Sequence, residues 1–334
     1  MYEYDKRVVL TLDAGGTNFV FSAIQGNNEM ISPIGLPAVS DNLDECLEVL
    51  VKGFDRVIAA IPVPPVAISF AFPGPADYEN GIIGDLPNFP SFRGGVALGP
   101  FLKHKYGIPV FIENDGNLFA YGEALSGALP MINRELSLAG CSREYKNLIG
   151  ITLGTGFGAG VVINKVLLTG DNGCGGDIWL MRNKKYPDML AEESVSIRAV
   201  RRVYSDLSGQ SSASLSPKDI YDIAEGIKEG DSHAAIASFN ELGIMAGAAI
   251  ASVLNVVDGL VVIGGGVAGA SKYILPALIT ELRAQLTTFS GNKFPCVSMQ
   301  VYNGEDESER ARFLSLSDSQ VVIPGCLLYT SDAA

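Results

Sequence analysis

The sequence predicts a mixed α/β protein of two similar lobes, and three observations carry that prediction. Val8–Phe21 (VVLTLDAGGTNFVF) and Asn147–Ile163 (NLIGITLGTGFGAGVVI) share one grammar: apolar strand, glycine-rich turn, apolar strand. The two segments lie roughly 140 residues apart, about one domain length. The chain has 334 residues and 47% apolar content, enough for a sizeable core in each of two domains.

In the first segment Gly15 and Gly16 free the backbone for positive φ and for close approach to a ligand. Their N–H groups, the Thr17 hydroxyl and the Asn18 amide suit phosphate oxygens, and Asp13 suits Mg²⁺, directly or through water. Taken alone, the segment reads equally well as an ordinary hairpin. Neither segment fits the Rossmann fingerprint or the P-loop, both of which lead into a helix.

A strand over Met30–Leu36 and an amphipathic helix over Asn42–Phe54 follow, with Asn42 and Glu45 as an N-terminal cap. A buried strand, Val66–Phe72, ends at Pro73-Gly74-Pro75, a stiff loop. Asn88, beside Pro87, reads as a turn former. A short strand, Pro109–Ile112, leads through Glu113-Asn114-Asp115 to a helix over Asn117–Ser126, which Asp115 suits as a cap. After the second hairpin, Glu192–Tyr204 reads as a helix whose Arg198, Arg201 and Arg202 form a solvated face. Helices are expected at Pro217–Glu229, with Ser216 as cap, at Ser232–Asn255, where Gly243, Gly247 and Ala251 permit tight packing, and at Tyr273–Leu286. Between the last two, Leu260–Ile263 reads as a strand ending in Gly264-Gly265-Gly266, bare backbone suited to a flat base or ribose.

The formal net charge of −13 argues against nucleic acid or an anionic membrane as partner. The five cysteines are scattered without metal-type spacing, which fits a reduced cytoplasm. The N-terminus carries no signal-peptide pattern, and the apolar stretches break short of the ~20 residues of a membrane span.

LDAGGTN (Leu12–Asn18), FPGPAD (Phe72–Asp77), LPN (Leu86–Asn88), IENDGN (Ile112–Asn117), LGTGFGAG (Leu153–Gly160), GCGGD (Gly173–Asp177) and VVIGGGVA (Val261–Ala268) occur in one order. In these pieces the chain resembles the ROK family of sugar kinases, within the actin/hexokinase/Hsp70-like ATPases. The resemblance implies two RNase H-like lobes, residues 1–122 and 123–334, around a nucleotide and sugar cleft. It implies ATP with Mg²⁺ on Asp13, Gly15, Gly16, Thr17, Asn18, Gly154, Thr155 and Gly156, and the adenosine at Gly264, Gly265 and Gly266. It places the sugar against Gly74, Asn88, Asn114, Asp177 and Glu192, and makes Asp115 the base that takes the hydroxyl proton. Glucose is the first expected substrate, before N-acetylglucosamine and mannose, and the family implies a homodimer.

The chain departs from the family at two places. Where ROK proteins carry Gly-Glu-Ile-Gly-His and a cysteine-rich zinc motif ending in Leu-Glu, this chain reads GGDIWLM, with Asp177 for Glu and Leu180 for His. No cysteine stands in Met181–Glu193, and His104 and His233 are elsewhere, so no structural zinc is expected. Glu192, four residues before Ser196, matches the family's sugar-contacting Glu, although Glu193 leaves the register open, and solvated surface charge is the plain alternative for Asp177 and Glu192. At the other end, Gln320–Pro324 is strand-like, whereas Gly325–Ala334 matches nothing in the family and reads as a foreign or truncated tail. The alternatives to a kinase are a binding-only pseudokinase and a sugar-sensing ROK regulator. The regulators carry an N-terminal DNA-binding domain, while this chain reaches its first phosphate strand by residue 8.

Overall fold

The computed structural model describes residues 2–14, 18–72, 74, 76–84, 90–315, 319–321 and 329–331, the last two stretches by backbone alone. The chain divides into two compact units, Met1–Ser126 with Thr169–Cys174, and Gly127–Leu168 with Gly175–Ala334.

The first unit runs β1 (Val9–Ala14), β2 (Asn18–Gln25), β3 (Asn28–Glu29), β4 (Ile34–Pro37), α1 (Leu43–Ala60), β5 (Ala67–Ala71), β6 (Ala76–Asp77), β7 (Ile82–Ile83), α2 (Leu98–Tyr106), β8 (Val110–Glu113) and α3 (Asp115–Leu125). Its main sheet has the order β3-β2-β1-β5-β8, and β4 shares the outer edge of β2 with β3. β1 and β2 form the antiparallel hairpin, with Asp13 opposite Val20, while β5 and β8 lie parallel to β1. Alternation of side chains buries Leu10, Leu12, Phe19, Phe21 and Ala23. α1 covers them with Cys46, Leu50, Phe54 and Val57. The Phe21 and Phe54 rings meet edge-on at 5.2 Å between centroids, and Gly53 makes room because any Cβ there would enter the Phe21 ring. The Asn42 side chain accepts from Glu45 N, as the sequence predicts, but the helix runs on past Phe54 to Ala60. It stops at Ile61, whose successor Pro62 disfavours helical geometry in the residue before it.

The second unit runs α4 (Ala128–Leu138), β9 (Leu148–Leu153), β10 (Phe157–Ile163), β11 (Val166–Leu167), α5 (Ile197–Ser208), α6 (Pro217–Ala224), α7 (Ser232–Val257), β12 (Leu260–Gly264), α8 (Ser271–Leu282), β13 (Gln285–Thr287), β14 (Lys293–Pro295), α9 (Glu307–Leu314), β15 (Ser319–Val321) and β16 (Tyr329–Ser331). Its sheet has the order β11-β10-β9-β12, with β9 and β10 antiparallel and β12 parallel to β9. β15 and β16 pair antiparallel; the rest of Gly325–Ala334, on which the tail expectation falls, lies outside the described residues.

α7 has 26 residues and is long and apolar enough to cross a membrane, more than the broken apolar stretches of the sequence suggest. Here it is the core helix of its unit, packed on α5, α6 and α8. Gly247 brings its backbone against α8, since a Cβ there would stand 2.9 Å from Leu278 O, and a Cβ at Gly243 would come closer still to Ile274 O. α6 is shorter than predicted. Its start is the expected Ser216 cap, completed by Asp219 into a capping box, and its end is enforced by Gly226 at φ +72°. α8 likewise begins and ends earlier than the sequence suggests, at Ser271 and Leu282.

Candidate active site

In the first unit the parallel register brings three strand ends together on one sheet edge. Asp13 pairs with Ala71, and Ala71 pairs with Glu113. Adjacent strands lie about 4.8 Å apart, so the ends of β1, β5 and β8 fall within about 10 Å of one another. Past Asp13 comes the first glycine turn, past Ala71 the Gly74 loop, and past Glu113 the pair Asn114-Asp115. Gly15, Gly16, Thr17 and Asn88 lie outside the described residues, while Asp13 and Asn18 are both exposed. A Cβ at Gly74 would stand 2.9 Å from the Tyr78 hydroxyl, which itself donates to Phe72 O.

The helix cap differs from the sequence reading. α3 begins at Asp115 rather than Asn117, and its cap is Asn114, whose Oδ1 accepts from Gly116 N at 2.9 Å and Asn117 N at 3.4 Å. Asp115 is the first helical residue, exposed, with Oδ1 accepting its neighbour's N–H, from Gly116 at 2.9 Å. Glu113, which sequence reasoning passes over, organises this corner. Its Oε1 accepts from Asn114 N at 2.9 Å and from Nδ2 of the buried Asn117 at 3.1 Å. The strand end is thereby tied to the first turn of the helix, which fixes the direction in which Asn114 and Asp115 face.

In the second unit the turn Gly154-Thr155-Gly156 joins β9 to β10, and β12 runs beside β9 with Gly264 opposite Thr152. The triple-glycine turn therefore stands next to the phosphate-type turn. Gly265, at φ +90°, backs onto Leu153, whose carbonyl accepts from Val267 N at 3.0 Å; a side chain at 265 would collide with that strand end. Gly154 faces open space, as a position approached by a ligand must.

Glu192 and Asp177 sit beside this hairpin. Gly176 packs against Ala159 and Gly160 of β10, and Asp177 opens a short 3₁₀ turn, its exposed carboxylate accepting from Trp179 Nε1 at 3.2 Å. Leu180, at the family's histidine position, is 55% exposed. The predicted helix over Glu192–Tyr204 begins only at Ile197, capped by Ser196; Glu192 lies in a separate 3₁₀ turn, Ala191–Glu193. The plain alternative of solvated charge does not hold for Glu192. Its Oε2 accepts from Phe157 N at 3.1 Å and its Oε1 from Arg198 Nη2 at 3.0 Å. Nor are the three arginines a free solvated face. Arg198 binds Glu192 and Glu193, which together hold its guanidinium above its ordinary pKa. Arg201 donates to Leu215 O, and Arg202 lies over the Tyr186 ring and near Glu241.

Where the family carries zinc cysteines, a buried asparagine holds the chain. Asn183 Nδ2 donates to Ser194 Oγ at 2.7 Å and to Leu190 O at 3.3 Å, and its Oδ1 accepts from the N–H groups of Lys185 and Tyr186. Backbone bonds from Asn183 N to Met189 O and from Ala191 N to Met181 O close the loop. Lys184 and Lys185 then pin it to Glu281 and Glu241. Among the described residues no group of three His, Cys, Asp or Glu side chains is placed to hold a metal. A lone exposed carboxylate such as Asp13 does suit Mg²⁺ that keeps most of its waters and takes its other ligands from phosphates.

A sequence model of the ROK family matches residues 9–308. The chain belongs to the ROK family. The crystal structure of a glucokinase from Parabacteroides distasonis is 59% identical, superposes with a TM-score of 0.88, and the match covers 99% of this chain and 91% of that one. The glucokinase of Thermotoga maritima is 26% identical over 290 residues, which is 82% of this chain and 86% of its own length. A ROK glucokinase from Streptomyces griseus, solved with glucose and AMPPNP, has a TM-score of 0.62 at 21% identity, covering 83% of this chain and 88% of its own. The fold is thus that of the ROK kinases, the actin-like ATPase class that the motifs predict.

Proposed function

We propose that this ROK protein transfers the γ-phosphoryl group of ATP to a hydroxyl of a hexose, with glucose the first candidate. The register that brings Asp13, Ala71 and Glu113 level at one sheet edge is the observation that carries the reading, because the exposed Asp13 at the end of β1 and the exposed Asp115 just past β8 then lie on the same edge. The 59% identity to a glucokinase supports both the reaction and the sugar.

In this reading Asp115 receives the proton of the attacking hydroxyl. The sugar's hydroxyl oxygen forms the new bond to the γ-phosphorus, the bond to the bridging oxygen breaks, and ADP leaves. Asn114 has spent its carbonyl oxygen on capping α3, so its amide N–H groups remain to donate to a sugar oxygen. Asn88, Gly74, Asp177 and Glu192 complete the sugar contacts. The turns at 15–18, 154–156 and 264–266 take the phosphates and adenosine. Mg²⁺, when bound, neutralises charge on the phosphates, and Asp13 would hold its water shell.

The test is ADP release against a panel of hexoses and N-acetylhexosamines, with Asp115→Ala beside the unaltered protein. Turnover on one sugar, reduced at least about 100-fold in the variant while AMPPNP still binds, is the expected result. Sugar-independent ADP release, or equal turnover in the variant, would overturn the assignment of Asp115. Nucleotide and sugar binding without turnover in the unaltered protein would favour a binding-only protein.

A further inference from the structure

The second phosphate turn is held at Gly154, at Thr155 and at Phe157, the residue that follows it, by one short segment, Glu192–Arg198. Ile197 N donates to Gly154 O at 2.9 Å, Arg198 Nη1 to Thr155 O at 3.4 Å, and Phe157 N to Glu192 Oε2 at 3.1 Å. A Cβ at Gly156 would stand 2.6 Å from that same carboxylate oxygen. The two glycines of the turn therefore differ in purpose. Gly154 leaves open space for an incoming group, whereas Gly156 leaves room for Glu192. The other carboxylate oxygen, Oε1, is taken by Arg198 Nη2, so the guanidinium bridges the acid and the turn's carbonyl. Charge-assisted bonds of this kind are the stronger and more directional ones.

Resting on the kinase reading above, we infer that Arg198 is a positioning residue for the nucleotide. Through Glu192 it also makes nucleotide affinity depend on what occupies the sugar side. A sugar hydroxyl donating to Glu192 Oε1 shares that oxygen with Arg198. Redistribution of that bond changes the pull on Thr155 O and Phe157 N, and with it the presentation of the turn's N–H groups to phosphate. Coupling of this kind is reciprocal: the nucleotide changes sugar affinity by the same factor.

The experiment measures AMPPNP affinity by calorimetry on the full chain, with and without glucose, for the unaltered protein, Arg198→Ala, Arg198→Lys and Glu192→Gln, beside thermal melts. Arg198→Ala is expected to weaken AMPPNP binding without sugar by about tenfold, with KM for ATP rising more than kcat falls. Arg198→Lys, which keeps the charge but not the fork, should recover part of the loss. In the unaltered protein glucose should shift AMPPNP affinity by about fivefold or more, and that factor should collapse toward one in Arg198→Ala and Glu192→Gln. Unchanged AMPPNP affinity in Arg198→Ala, or a lowered melting temperature with affinity and coupling intact, would overturn the inference. The sugar-free binding arm reads the brace even if the protein turns over no sugar, so failure of the kinase reading is separately visible.

Discussion

Asn183→Ala should loosen the segment that carries Glu192, and the structure sets the size of the effect. Asn183 is 2% exposed and makes four hydrogen bonds, two of them to Ser194 Oγ and Leu190 O. The Ser194 hydroxyl is itself buried and has Asn183 as its partner, so truncation strands a polar group as well as removing bonds. At about 1 kcal/mol per lost bond, less what water recovers at the half-buried turn of Lys185 and Tyr186, the cost is roughly 2–4 kcal/mol. For a unit of this size that lowers the melting temperature by roughly 5–15 °C. Circular dichroism melts give the shift, and limited proteolysis should move its first cut into Met181–Ala191. A shift under about 2 °C with the cleavage pattern unchanged would refute the reasoning that Asn183 holds this segment.

Three further outcomes follow from the same description. The Cys46 thiol is buried and its pKa is pushed up to about 11, so at pH 8 a thiol reagent should label exposed Cys174 quickly and Cys46 only after unfolding. Lys228 and the Ser216 cap hold Asp219 well below the usual carboxylate range. Its contribution to α6 is therefore present above that range and lost as pH falls. The difference in melting temperature between the unaltered protein and Asp219→Asn should be constant from about pH 7 to 5 and shrink below about pH 4. A zinc chelator should leave the melting temperature of the nucleotide-free protein within about 1 °C, because side-chain hydrogen bonds do the fastening at Met181–Ala191; a larger fall would reveal a metal the sequence does not announce.

What the sequence made legible is what short-range chemistry dictates. Both glycine hairpins, the Asn42 and Ser216 caps and the strand leading to Gly264 follow from patterns a few residues long, and the structure repeats them. Boundaries that depend on distant partners were not legible. Glu192-Glu193-Ser194-Val195-Ser196 looks like the acidic first turn of a helix, yet the Glu192 carboxylate is drawn away to Phe157, 35 residues earlier, and the helix waits for Ser196 to cap it. Arg198, Arg201 and Arg202 read as solvated because a periodic basic face usually is. Their carbonyl, carboxylate and aromatic partners come from loops that no periodicity reveals. Asn183 is the extreme case: an asparagine in a polar run, Arg182-Asn183-Lys184-Lys185, signals a turn, not a buried fastening.

The two units use acidic side chains in one way. In the first, Glu113 accepts the N–H of Asn114 and locks the residue that precedes the proposed base. In the second, Glu192 accepts the N–H of Phe157 and locks the residue that follows the proposed phosphate turn. Each carboxylate has a second tether, the Asn117 amide in one case and the Arg198 guanidinium in the other. A glycine turn is useful to a phosphate because it is bare, and bareness leaves the backbone with little to hold its shape. An acid bonded to the N–H just outside the turn supplies that constraint without covering the face that must stay open. Glu113 plays the same part for Asn114, so Glu113→Gln should act through geometry, moving affinity and rate while the proposed base, Asp115, is still present.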